Sequence, residues 1–248
     1  MKKNKFIVLF FTIFLILSII LPNCMSHNAN LISKKVDNKS NKNYFITGFK
    51  IKILDNRYVM YKQPDSEPSH NGYPVLFLFH GATQHAFSWF IGLNPWSKAE
   101  TSFTNKALDN GFFVVSFESK RPVFFGPRAW DTFEKNIENN NDISYVKEVI
   151  SWLKTSSLNV DTNSIYCAGF SSGAFFCSRL AQTYNYGFKG IILNSGCNAN
   201  GINITMRGPV FNFSTGFQVP NFHPPTLLIH GKNDMIVHVI GTESYYQD

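Results

Sequence analysis

Ser164-Ile165-Tyr166-Cys167-Ala168-Gly169-Phe170-Ser171-Ser172-Gly173-Ala174-Phe175-Phe176-Cys177 decides the fold. Residues 164–168 read as a short buried strand, and residues 174–181 read as a helix. Between them Gly169 and Gly173 flank Ser171 in a G-x-S-x-G pattern. A serine on a tight strand-to-helix turn projects its hydroxyl above a sheet, where a base can reach it. A side chain at either glycine would crowd such a turn. Ser171 is therefore the candidate nucleophile, a weak one until a neighbouring base takes its proton.

Working outward, five apolar runs recur at 75–79, 112–117, 165–168, 191–193 and 227–229. Each is short and apolar on both faces, as parallel strands covered by helices must be. Ser97-Lys98-Ala99-Glu100 is a capping-box pattern predicting a helix that ends near Asn110-Gly111. Asp142 is the expected N-cap of a second helix to about Lys154, with Ile143, Val146, Ile150 and Leu153 as its core stripe. Residues 44–54 and 58–62 read as strands around an Asp55-Asn56 hairpin turn, and 64–72 as a loop. The class is α/β: a mostly parallel, doubly wound sheet with right-handed crossovers and an N-terminal antiparallel hairpin. There is no internal repeat.

The 248 residues suit one domain of this kind. Lys2, Lys3 and Lys5 precede an apolar run at 6–21, the pattern of a signal peptide cleaved around 24–28. An uncleaved anchor is the alternative. The expected organisation is residues 1–26 signal peptide or anchor, 27–43 polar linker, and 44–248 the folded domain. Secretion is the expected destination. Removing the three N-terminal lysines from the formal charge of +7 leaves +4, and no basic stripe interleaves with aromatics. That argues against a nucleic-acid partner. Cys24 leaves with the signal; Cys167, Cys177 and Cys197 remain, an odd number whose pairing stays open. Cys167 and Cys177 read as buried thiols. No zinc spacing is present, and neither metal nor cofactor is expected. Asn38, Asn203 and Asn212 begin N-x-S/T sites that a eukaryotic host would glycosylate.

Other loops carry the remaining chemistry. His80-Gly81-Ala82 ends the first parallel strand, where a loop of small residues turns backbone N–H groups toward a developing oxyanion. The expected donors are the amides of Ala82 and Ser172, with His80 bracing the loop. Thr226-Leu227-Leu228-Ile229-His230-Gly231-Lys232-Asn233-Asp234 is another buried strand and loop, and makes Asp234 the candidate acid, or else a turn aspartate. His230 reads as structural, while His223 and His238 are poorly placed to act as base. Phe124, Phe125, Trp130 and Phe217, in loops 121–130 and 206–223, either line an apolar substrate pocket or pack beneath those loops. Phe211 and Phe213 share that choice.

Taken together, Leu78-Phe-His-Gly-Ala82, Gly111-Phe-Phe-Val-Val115, Val160-Asp-Thr-Asn-Ser-Ile-Tyr166, the Gly169–Gly173 motif, the segment 191–196 and the segment 224–234 resemble secreted α/β-hydrolase esterases. These are the esterases grouped with polyhydroxybutyrate depolymerases and feruloyl or acetylxylan esterases. The resemblance runs from about Tyr73 to the C-terminus. It implies the α/β-hydrolase fold and hydrolysis of small-molecule or polymer carboxylic esters through an acyl-enzyme. It maps the nucleophile to Ser171 and the acid to Asp234. Two features depart from the pattern: Ala174 where many relatives have glycine, and a sequence that stops at Asp248, before the expected last strand and histidine loop. Three readings follow: a secreted esterase whose sequence is cut short, an inactive binding protein of the same fold, or a peptidase of that fold. Residues 27–248 alone are expected to be poorly soluble and to hydrolyse ester no faster than a Ser171→Ala control, because an apolar sheet face would stay uncovered.

Overall fold

Along one strand Val75, Phe77 and Phe79 alternate with Leu76 and Leu78, and the two sets are buried in two different hydrophobic clusters. Period-two side chains buried on both faces require cover above and below the sheet. The computed structural model describes residues 45–54, 56–120, 128–132, 134, 136–183, 187–196, 199, 201–205, 210–214 and 223–247. Tyr44–Lys120 with Ala129–Asp248 forms one of two compact units and carries every helix and strand among the described residues.

The main sheet contains β1 (Lys50–Leu54), β2 (Arg57–Lys62), β3 (Tyr73–Phe79), β4 (Phe113–Phe117), β5 (Val160–Phe170), β6 (Gly190–Asn194) and β9 (Thr226–Ile229) in the order β1-β2-β4-β3-β5-β6-β9. β1, β2 and β4 pair antiparallel; every pair from β4 to β9 is parallel. Helix α1 (Pro95–Asp109) joins β3 to β4, α2 (Asn141–Thr155) precedes β5, α3 (Ser172–Thr183) joins β5 to β6, and α4 (Ile240–Gln247) follows β9. Ala107 and Leu108 of α1 and Trp89 of a short 3₁₀ turn, Ala86–Trp89, cover Leu76, Leu78 and Val114. Ile143, Val146, Val149 and Leu153 of α2 join Phe176 and Leu180 of α3 over Val75, Phe77 and Phe79. The chain runs from β3 to β4 on one side, then back across β3 to β5 on the other. The loops after β3 and β5 thus emerge side by side at the carboxyl end, the position where such sheets hold ligands.

Several local expectations need correction. Helix α1 opens at Asn94, not Ser97: Asn94 and Ser97 form a reciprocal box at 2.9 Å in each direction, with Pro95 at the first helical position. The cap of α2 is Asn140, whose side chain accepts from the amides of Asp142 and Ile143. Asp142 is diverted because it faces a buried arginine. Strand β9 is not buried on both faces: Leu227 is 54% exposed and Ile229 47% exposed, because β9 lies at the edge of the sheet. Part of the loop expected at 206–223 is a two-stranded antiparallel hairpin, β7 (Gly201–Thr205) with β8 (Val210–Ser214).

The buried charge of Arg57 is matched on every side. Its Nη1 pairs with Asp142 Oδ1, its Nη2 donates to Asn141 O at 2.7 Å, and its guanidinium lies 4.4 Å from the centre of the Tyr145 ring. The second Asp142 oxygen accepts from the Asp131 amide at 2.7 Å, so one carboxylate ties β2, α2 and the 130s loop together. Truncating one partner would strand the other charge in the core. The Asp142→Ala change is expected to cost about 3–5 kcal/mol in denaturant unfolding, whereas an exposed control such as Glu138→Ala costs under about 0.5 kcal/mol.

Candidate active site

The site is built on three strained turns. Among the described residues, Thr83 after β3, Ser171 after β5 and Ser195 after β6 have φ of 69°, 51° and 53°. Non-glycine residues there cost roughly 1–2 kcal/mol each and persist only where their surroundings fix them. Ser171 sits between the end of β5 and the start of α3. Its amide donates to Asn194 O at 2.9 Å, and its carbonyl accepts from Ala174 and Phe175 at 2.9 and 3.1 Å. The turn is closed so tightly that a Cβ on Gly169 would lie 2.3 Å from the Gly173 carbonyl. A Cβ on Gly173 would lie 2.1 Å from Phe79 O and 2.7 Å from His80 O. Glycine is required here for close approach of one backbone to another.

That approach brings the two expected donor loops together. Gly173 abuts the backbone of Phe79 and His80, and Gly81 lies against the Phe170 ring. Ala82 and Ser172 are each one residue from those contacts. Neither backbone N–H finds an acceptor among the described residues. Ser172 also opens α3, where unpaired N–H groups and the helix dipole favour negative charge. Trp130 bolts the two loops to each other: its indole N–H donates to His80 O at 2.8 Å and its amide to Ser172 Oγ at 3.2 Å. Sequence reasoning missed that role. Trp130 is 3% exposed, with its ring stacked on Phe176 at 5.1 Å and edge-on to Phe79. It therefore packs beneath the loop and does not line an open pocket. Phe124, Phe125 and Phe217 lie outside the described residues, as does Cys197; Cys167 and Cys177 are buried free thiols.

His80 is fully buried, with Nδ1 2.7 Å from Gly81 O and Nε2 accepting from the Ser119 amide at 3.2 Å. Those partners fix the Nδ1–H tautomer and leave it a brace. Asp234 follows β9 at the catalytic end. Its Oδ1 accepts from the amides of Ile236 and Val237 at 2.8 and 3.0 Å, while Oδ2 faces His230 Nε2 at 3.4 Å. Burial pushes its carboxyl up, but the His230 contact and those two amides outweigh it and hold the pKa below the usual value. Thr242 Oγ1 donates to Gly196 O at 2.9 Å, so it accepts from His230 Nδ1 at 2.6 Å. Val237 O can only accept, and it lies 2.8 Å from His230 Nε2. Both ring nitrogens donate. Burial pulls the His230 pKa down, yet its partners raise it above the ordinary value. An imidazole whose two ring nitrogens are both engaged by fixed partners is no base for Ser171.

His223 and His238 are no better placed. His223 precedes β9 at the amino end of the sheet, and its Nδ1 lies 2.9 Å from Pro224 O. Asn194 and Ile229 are paired at the Ser171 end, so the whole length of β9, roughly 10 Å at about 3.3 Å per residue, lies between the two levels. His238 accepts from the Ile240 amide at 3.2 Å. The Ser171 hydroxyl itself has no hydrogen-bond partner among the described residues.

A test of the close approach follows. Gly173→Ala forces the turn away from two backbone carbonyls, so phosphonylation of Ser171 by a fluorophosphonate is expected to slow by at least about 10²-fold. The far-ultraviolet circular dichroism should stay native. Labelling at the wild-type rate would show that the turn tolerates the shift.

No family model matches the chain. It is 25% identical over 201 residues to a poly(3-hydroxyoctanoate) depolymerase of Pseudomonas fluorescens, a match covering 78% of this chain and 68% of that protein. It is 24% identical over 175 residues to a bifunctional acetylxylan esterase/xylanase of Neocallimastix patriciarum, covering 71% of this chain and 21% of that protein. Among solved structures, the acetyl xylan esterase of Aspergillus awamori shares the fold with a TM-score of 0.56 at 15% identity, over 78% of this chain and 76% of that one. With a serine on a strand-to-helix turn and two amides beside it that find no acceptor among the described residues, the chain has the α/β-hydrolase fold and is similar to esterases and a depolymerase.

Proposed function

We propose that this protein is a secreted serine hydrolase that cleaves carboxylic esters, with Ser171 as nucleophile, Asp234 as acid and the amides of Ala82 and Ser172 as oxyanion donors. The observation that carries the reading is the direct packing of the Ser171 turn on the loop after β3, which leaves two amides unpaired beside one serine. The Ser171 oxygen adds to the ester carbonyl and its proton passes to a histidine oriented by Asp234. The oxyanion that forms is held by the two amides, each worth about 3 kcal/mol of transition-state stabilisation. Collapse expels the alcohol, which takes the proton back, and water then repeats the sequence on the acyl-enzyme. None of His80, His223, His230 and His238 is placed for this step.

The identity of the ester is also part of the proposal. The matched depolymerase is named for a polyester and the xylanase-linked relative for acetylated xylan. Both point to esters of short or medium acyl chains on a polymer. The signal-like residues 1–26 support export to where such polymers lie. The unpartnered Ser171 hydroxyl and the engaged His230 favour one alternative, a binding protein that keeps the fold without turnover.

Hydrolysis of p-nitrophenyl butyrate and fluorophosphonate labelling separate the two. An enzyme gives both, and Ser171→Ala abolishes both; no signal above that variant supports the binding protein. If Asp234 is the acid, Asp234→Asn lowers kcat by orders of magnitude with the fold intact. Near wild-type turnover in that variant would leave Asp234 its turn-capping role alone.

A further inference from the structure

The loop that presents Ala82 is anchored from a distance. Gly81-Ala82-Thr83-Gln84 is a tight turn, closed by the Gln84 amide donating to Gly81 O at 3.2 Å, with Thr83 strained at φ 69°. The Gln84 side chain closes it a second time: its Oε1 accepts from the Gly81 amide at 2.7 Å. Its Nε2 then donates to Glu100 Oε2 at 3.0 Å. Only one orientation of the Gln84 amide meets both partners, so the chain of bonds Gly81–Gln84–Glu100 is directional. Glu100 lies on α1, only 6% exposed. Its other oxygen, Oε1, is buried with no partner among the described residues. A carboxyl kept in such a place gains nothing for packing alone, since burying an unsatisfied polar atom costs about 1–3 kcal/mol.

We infer that Gln84 and Glu100 are positioning residues of the oxyanion loop: Gln84 occupies the Gly81 amide and locks the strained turn, and Glu100 fixes the Gln84 amide from α1, so that the Ala82 amide is the one left for the substrate oxygen. Without the anchor, the Gly81 amide becomes a competing donor and Thr83 relaxes toward negative φ. Both changes move the Ala82 N–H off the reacting carbonyl. This role rests on the ester hydrolase reading above, but the anchoring itself does not.

The anchor works as a neutral acid. Burial lifts the Glu100 pKa from 4.5 to about 8, with the Gln84 bond pulling the other way. Among the described residues, the charged groups on the elements packed against α1 are His85, in the same loop, and Glu118, beyond β4, which face each other at 3.3 Å. Neither contributes to the Glu100 shift, nor does the exposed Lys98 on α1. Above about pH 8 Glu100 therefore ionises in a buried place where no cation offsets the cost. Because the folded protein holds this proton more firmly than the unfolded chain does, Glu100 lowers stability progressively as pH rises from about 4.5 to about 8.

The test uses the full-length chain and three variants, Gln84→Ala, Glu100→Ala and Glu100→Gln, with two readouts. Hydrogen exchange across residues 80–86 at pH 7 reports the anchor whether or not the protein turns over ester. It should quicken in Gln84→Ala and Glu100→Ala, and stay near wild type in Glu100→Gln, whose amide still accepts from Gln84. Above about pH 8 it should also quicken in wild type relative to Glu100→Gln at the same pH. Unchanged exchange in both alanine variants overturns the anchor. The second readout is the rate of p-nitrophenyl butyrate hydrolysis and of Ser171 phosphonylation. The alanine variants should lose about 10²-fold in kcat with KM unchanged, Glu100→Gln should restore most of it, and the alkaline fall in kcat should vanish in that variant. A rise in KM alone, or an alkaline fall that persists, overturns the positioning role. Absent Ser171-dependent turnover in wild type defeats the hydrolase reading, while exchange still decides the anchor.

Discussion

Everything at the catalytic end depends on two backbones being allowed to touch. Gly173 carries no side chain, and the space a methyl would need is filled by the carbonyls of Phe79 and His80. That contact fixes the distance between β3's following loop and the Ser171 turn. The same constraint holds within the turn, where Gly169 meets Gly173. Side-chain packing adjusts by rotamer changes, but a carbonyl two ångströms away cannot. The geometry of the serine relative to the two amides is thus set by main chain, the least adaptable part of a protein.

Around this contact the structure spends strain and buried polarity in a consistent way. Three non-glycine residues with positive φ follow β3, β5 and β6, and each is held from outside itself. Ser171 hangs from Asn194 O, and Ser195 from Ile229 O at 2.9 Å. Trp130 ties the loops after β3 and β5 together from below. Its own position follows from Asp142, which holds the Asp131 amide while neutralising Arg57. A buried ion pair far from the serine is thereby part of its support, through chain connectivity between Trp130 and Asp131. Such pairs are poor sources of net stability but good at enforcing one arrangement over others.

The far side of the site is organised by charge. His230, Asp234 and Thr242 connect the end of β9 to Gly196 and α4 through hydrogen bonds that suit an imidazolium and a carboxylate. This cluster keeps Asp234 ionised. His230, four residues before Asp234, is not placed to act as a base, because a ring whose two nitrogens are both engaged by fixed partners has no lone pair to offer.

The sequence by itself determined the sheet, the serine turn and the rank of the histidines. Those features are written in local chemistry: apolar runs of strand length, a G-x-S-x-G between a strand and a helix, and His-Gly pairs at strand ends. Cap positions were misjudged by a few residues because Ser97 and Asp142 are good caps in isolation. Asn94 and Asn140 displaced them once Pro95 fixed one helix start and Arg57 claimed the aspartate. Strand β9 read as buried because its residues are apolar, whereas its exposure depends on a place at the edge of the sheet that no local pattern encodes. Trp130 offered only an aromatic in a loop, and Gln84 and Glu100 lie sixteen residues apart with no shared motif. Only the tertiary structure decided what those three do, because hydrogen bonds between distant segments depend on where the chain brings its ends together, and that is a property of the whole fold.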